Sequence, residues 1–89
     1  MTFDQIKAQA QTDKIPSMQE EGLFYCQHLI TSQALYSILE IGTGHAIWSI
    51  TMALAHSSVK ITTLEINPQR ASIARENIKA MNLADRITV

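Results

Sequence analysis

The sequence predicts an α/β fold, with three parallel strands, flanking helices and two further helices in front. Three observations carry that expectation. Tyr36-Ser37-Ile38-Leu39-Glu40-Ile41 is a short, largely apolar run that stops at Gly42-Thr43-Gly44, the pattern of a buried strand entering a tight turn. Val59-Lys60-Ile61-Thr62-Thr63-Leu64-Glu65 is rich in β-branched residues and reads as a second strand. Helix-period segments follow each run after short connections, and a helical crossover returns the chain to the same end of the sheet, so the strands pair in parallel.

Taken in order, the elements are readable from their punctuation. Thr2 and Gln5 form a capping-box pattern, and Phe3, Ile6 and Ala10 recur at helical spacing, so residues 3–12 are expected to be a short helix with a thin apolar stripe. After Ile15-Pro16, Ser17 and Glu20 form a second capping box. Met18, Gly22, Tyr25, Cys26, Leu29 and Ile30 then fall near one face of a helix over 18–32. The strand over 36–41 leads through the glycine turn into a helix over 45–56, with Ile47, Ile50, Thr51 and Leu54 on one side. The second strand ends at Glu65. Asn67-Pro68 then pairs an N-cap with proline at the first helical position, Ala71, Ala74, Ile78 and Met81 share a stripe, and Asn82 suits the stop. Arg86-Ile87-Thr88-Val89 reads as the start of a third strand.

Composition limits the function classes. Eighty-nine residues make one small domain at most, divided here into N-terminal helices (1–33) and a βαβαβ part (34–89). At 46% hydrophobic and 17% charged residues the chain lies in the globular range, and no apolar run is long enough for a membrane span. Seven Lys and Arg against eight Asp and Glu, a net charge of −1, give no electrostatic footprint for duplex nucleic acid or an anionic membrane. The single Cys26 and the absence of a signal-like N-terminus point to a reducing cytoplasm.

Glu40-Ile41-Gly42-Thr43-Gly44-His45-Ala46 carries most of the functional information. Glycines at a strand-to-helix turn let a ligand approach backbone closely, and the following helix presents unpaired N–H groups. Glu65 ends the next strand 21 residues after Gly44, close to the spacing at which an acid takes ribose hydroxyls. A dinucleotide fingerprint would need a third glycine at the position of Ile47, and no Gly-Lys-Ser/Thr follows the turn. A carboxylate at Glu40 would repel a pyrophosphate but welcome a cationic amino group. S-adenosylmethionine has such a group together with an adenosine ribose. A turn that is only structural, in a non-enzymatic α/β module or assembly subunit, is the competing reading.

These residues resemble a known family. Ile38-Leu39-Glu40-Ile41-Gly42-Thr43, with Ile61-Thr62-Thr63-Leu64-Glu65 downstream, is similar to the start of class I S-adenosylmethionine-dependent methyltransferases. The likeness is greatest to bacterial O-methyltransferases of the caffeoyl-CoA and catechol type, including the tRNA 5-hydroxyuridine enzymes. Ile15-Pro16-Ser17-Met18 with Glu21-Gly22 resembles the segment those enzymes place before the cofactor site. The resemblance implies a partial Rossmann-like methyltransferase fold in which Glu40 and the Gly42, Thr43 and Gly44 backbone hold the methionine moiety. It further implies that Glu65 takes the ribose hydroxyls, Ile66 packs on adenine and Met18 lines the methionine end. The chain departs from the family pattern at Ala46, where a third glycine is usual, and at Trp48, where a serine is usual; Ser49 stands next to it and could substitute if the helix start shifted.

The same resemblance implies a longer intact enzyme whose later residues bring the divalent-metal ligands and hold a small-molecule or tRNA acceptor, so these residues alone are expected to be inactive. The first strand would lie in the middle of the family's sheet. An unpaired apolar edge is then expected to drive a homo-oligomer through that edge or exposed helix faces. His28, His45 and His56 lack metal-ligand spacing and read as solvated or hydrogen-bonded. Cys26 reads as a small core residue, Trp48 as a packing anchor, and Arg70, Arg75 and Lys79 as a solvated face.

Overall fold

The computed structural model describes residues 2–13 and 20–89. In chain order it forms α1 (Phe3–Thr12), α2 (Glu20–Gln33), β1 (Ser37–Ile41), α3 (Ile47–Ala55), β2 (Lys60–Leu64), α4 (Pro68–Ala80) and β3 (Ile87–Thr88). The sheet order is β1-β2-β3 and both pairings are parallel. Glu40 sits opposite Thr63 in the β1–β2 register, a detail on which the site depends.

Local chemistry accounts for the helix ends. The capping box of α1 is formed in both directions: Gln5 N–H donates to Thr2 Oγ1 (3.2 Å) and Thr2 N–H to Gln5 Oε1 (2.7 Å). Asn67 Oδ1 accepts from the amides of Gln69 (2.9 Å) and Arg70 (3.1 Å), and Pro68 begins α4. At the other end of α4, Asn82 takes φ +58°, and Leu83 N–H bonds back to the Ile78 carbonyl at 3.0 Å. That is the left-handed closure its side chain favours. The expected Ser17–Glu20 capping box and Met18 lie outside the described residues.

The core sits between the helices and one face of the sheet. Ile6 and Ala10 of α1, Ile50 of α3, Ile61 of β2, Ile78 of α4 and Ile87 of β3 are buried together, and Trp48 packs against this cluster as a half-buried side chain. The helix α3 is buried around most of its circumference, including Ser49 and Met52, whereas Leu54, expected on its inner side, is exposed. On α2, Tyr25 is exposed and Cys26 only half-buried, so the inner face there is narrower than the spacing suggested.

Strand β1 is not buried on both sides, as its apolar composition led us to expect. Ser37, Leu39 and Ile41 of β1 and Lys60, Thr62 and Leu64 of β2 are all exposed. Leu39 is 66% and Ile41 74% accessible. The physical reason is layering: the packed helices cover the face carrying Ile38, Glu40, Ile61 and Thr63, and the other face has no cover among the described residues. An apolar run there reflects a surface suited to burial rather than one already buried.

Candidate functional site

The site is built where β1 hands over to α3. Gly42 (φ +89°) and Gly44 (φ +54°) take left-handed conformations, which glycine adopts without a Cβ clash. A Cβ placed on Gly42 would meet no heavy atom within 4 Å, so the space above this backbone is open. The amides of Gly42 (2.8 Å) and Thr43 (3.2 Å) both donate to the Leu64 carbonyl, which ties the turn to the end of β2. Helix α3 starts at Ile47, two residues later than expected, because Ala46 adopts φ +71° as its N-cap. Ala46 supplies no side-chain cap.

Two further elements hold the turn. Asn77 of α4 donates its side-chain N–H to the His45 carbonyl at 3.0 Å. The His45 ring is 2% exposed, with Nε2 3.4 Å from Asp13 Oδ2 at the end of α1. His45 is therefore a buried tether between the turn and the N-terminal helix. Among the described residues no three His, Cys, Asp or Glu side chains gather as a metal-holding group.

Glu65 reaches back over the turn. Its Oε1 accepts from Gly44 N–H at 2.8 Å and its Oε2 from Asn67 N–H at 3.0 Å. The Asn67 amide, with those of Gly44 and Ile66 and the Arg70 charge, holds the Glu65 carboxyl below its ordinary value, against a smaller opposing effect of desolvation. It is an ionised, accessible carboxylate beside the glycine turn. Ile66, next to it, is 98% exposed.

Glu40 lies at the other side of the turn in a different setting. Burial pushes its carboxyl up from the ordinary value, and hydrogen bonds from Ser49 and Thr63 pull it part of the way back. Ser49 Oγ stands 2.5 Å and Thr63 Oγ1 2.7 Å from Glu40 Oε1, and Thr43 Oγ1 lies 2.6 Å from Thr63 Oγ1. The sequence pointed to Glu40, Gly42, Thr43, Gly44, Glu65 and Ile66, and the fold brings all six to one end of the β1–β2 pair. It did not point to Thr63 or to the contact of Asn77 and Asp13 with His45. Thr63 was findable from the strand register, which puts it opposite Glu40; the Asp13 contact has no sequence signal.

This arrangement, a parallel βαβ unit with a glycine turn and an acid at the end of the next strand, defines a Rossmann-like class of nucleoside-cofactor fold. Comparison with known proteins makes the class particular: the chain has the partial Rossmann-like fold of class I S-adenosylmethionine-dependent methyltransferases, and it resembles the O-methyltransferases of the caffeoyl-CoA type along nearly its whole length. A Staphylococcus aureus protein assigned to the caffeoyl-CoA O-methyltransferases superposes with a TM-score of 0.91 at 22% identity, covering 99% of this chain and 42% of that one. An O-methyltransferase from Bacillus cereus, solved in complex with SAH, gives a TM-score of 0.85 at 30% identity, with 98% and 41% covered. A curated relative, the ribosomal protein L11 methyltransferase of Carboxydothermus hydrogenoformans, is 42% identical over 52 residues, which is 58% of this chain and 17% of that protein. The chain thus spans under half the length of the proteins it matches. No family model matches it.

Proposed function

We propose that this chain is the S-adenosylmethionine-binding portion of an O-methyltransferase. The observation that carries the proposal is the Glu65 carboxylate held 2.8 Å from the Gly44 amide, so that an acid and an open glycine turn share one ligand-sized surface. The likeness to an O-methyltransferase solved with SAH supports it. In this reading Glu65 accepts from the two ribose hydroxyls, Glu40 receives the ammonium of the methionine moiety, and the Gly42–Gly44 backbone lies against that moiety. The exposed Ile66 offers an apolar surface for adenine, and Met18, outside the described residues, would line the methionine end. When bound, the cofactor supplies a methyl group on a sulfonium; the residues named here contribute binding and orientation for an in-line displacement by an oxygen nucleophile. The acceptor, any divalent metal, and catalysis belong to the whole enzyme.

Titration calorimetry with S-adenosylhomocysteine tests this. Binding is expected, and Glu65→Ala is expected to weaken it about 100-fold, the loss of one or two charge-assisted hydrogen bonds. An absence of heat at millimolar ligand, or an unchanged affinity in the variant, would leave the turn with the purely structural role that its bonds to Leu64 and Glu65 also fit.

We also propose that copies of the chain associate, in a reducing cytoplasm. Support comes from β1, which has no strand partner on its outer edge among the described residues and whose Leu39 and Ile41 lie exposed on the open face of the sheet. No helix among the described residues is long and apolar enough to cross a membrane. Light scattering across a concentration series is expected to give a mass above that of the monomer; a constant monomer mass at high concentration would exclude the association.

A further inference from the structure

The hydroxyls around Glu40 have only one consistent direction. Thr63 gives its proton to Glu40 Oε1, and a threonine hydroxyl has one proton to give. In the 2.6 Å contact between Thr43 and Thr63, Thr43 is therefore the donor and Thr63 the acceptor. Ser49 donates to the same carboxylate oxygen from the first turn of α3. Three elements, namely the glycine turn, β2 and α3, thus send hydroxyl protons toward Oε1. Oε2 receives none from the described residues, and Glu40 as a whole is only half-buried.

We propose that Thr43, Thr63 and Ser49 are positioning residues that fix Glu40 in one rotamer, with Oε1 held inward and Oε2 presented as the acceptor for the cofactor's ammonium. This rests on the cofactor reading above and deepens it, since it makes the site selective for adenosyl ligands that carry an α-amino group. A carboxylate free to rotate would spend part of its time with both oxygens turned away, and its affinity for a cation would fall by that fraction. Thr43 begins the relay on the glycine turn itself, so the turn's conformation and the carboxylate's orientation are set together.

The test compares two ligands on the full chain by calorimetry: S-adenosylhomocysteine, and 5′-methylthioadenosine, which keeps the adenosine and sulfur but lacks the amino-acid group. Ser49→Ala and Thr63→Val are each expected to weaken S-adenosylhomocysteine about 10-fold, the worth of one hydrogen bond to a charged group, and to leave 5′-methylthioadenosine unchanged. Thr63→Ser keeps the hydroxyl and is expected to restore the wild-type ratio of the two affinities. An unchanged ratio in both loss variants would overturn the positioning role, and so would an equal loss for both ligands, which signals a damaged turn. If circular dichroism shows Thr63→Val unfolded, Ser49→Ala with Thr63→Ser decides. Failure of the wild-type chain to bind either ligand would instead overturn the cofactor reading and the positioning role with it.

Discussion

Replacing Arg86 by methionine is expected to lower the stability of the fold by about 3 kcal/mol, the worth of one to two hydrogen bonds to a charged group plus carbonyls left without a donor. Arg86 Nη1 lies within hydrogen-bond distance of three backbone carbonyls: Ala53 (3.0 Å), His56 (3.0 Å) and Val59 (3.2 Å). Ala53 belongs to the last turn of α3, whose carbonyls have no partner inside the helix, and a cation there also opposes the negative end of the helix dipole. His56 and Val59 flank the turn into β2, so one side chain closes the helix and fixes the approach to the strand. For a folded unit of 89 residues each kcal/mol shifts the melting temperature by about 4–8 °C, so the expected fall in this chain is about 12–24 °C. Urea denaturation of the two proteins checks it. A loss below about 1 kcal/mol would mean that water replaces the guanidinium without penalty.

Glu40→Gln is expected to separate stability from binding. Glutamine keeps a carbonyl oxygen for Ser49 and Thr63 but carries no charge, so affinity for S-adenosylhomocysteine is expected to drop between about 10- and 100-fold. Stability is expected to move the other way. The Glu40 carboxyl titrates above its ordinary value of 4.5 in the folded chain, because burial disfavours the charge. A raised carboxyl favours folding only while it is protonated, and that contribution is lost as pH rises through the folded-state value. The variant, which has no proton to lose, is therefore expected to gain stability over the wild type as pH rises above 4.5, and to show no such gain below it. Thermal melts at several pH values check this. A variant that loses stability at neutral pH would show that the two hydroxyls require a full carboxylate.

Much of this fold was legible before any coordinates. The strands β1 and β2 announce themselves through an apolar run cut by glycines and a β-branched run cut by Glu65, and Asn67-Pro68 places the start of α4 to the residue. What could not be read was the depth of burial. Leu39, Ile41 and Leu64 have the composition of interior strand residues, yet all are exposed, because hydrophobicity shows what a residue would gain by burial and not whether a layer is there to cover it. The start of α3 was misplaced for a local reason: Ala46 occupies a left-handed conformation, a cost of roughly 1–2 kcal/mol for a residue with a Cβ, which sequence propensity alone argues against.

The site was legible to a similar degree. The residues proposed to meet a ligand through backbone or charge, Gly42, Gly44, Glu40 and Glu65, stand in a recognisable order along the chain. Those that position them do not. Ser49 lies 9 residues from Glu40 and Thr63 lies 23 away, and only the helix start and the parallel register bring their hydroxyls to one oxygen. Three hydroxyls of ordinary type carry no pattern until the fold supplies their geometry.

The Arg86 contacts also set a timetable for synthesis. They join residues separated by 27 to 33 positions, and the helix they close has only 9 residues, short of the roughly 12–15 at which a helix becomes even marginal by itself. A ribosome adding roughly 5–20 residues per second needs about 2–7 s to travel from Ala53 to Arg86. From Leu64 onward in that interval the nascent β1–α3–β2 segment has its glycine turn and both strands but lacks the cation that finishes α3. The segment is thus most open to chaperones, proteases and neighbouring nascent chains until residue 86 emerges, and slower emergence of that residue would lengthen the exposure without altering the protein.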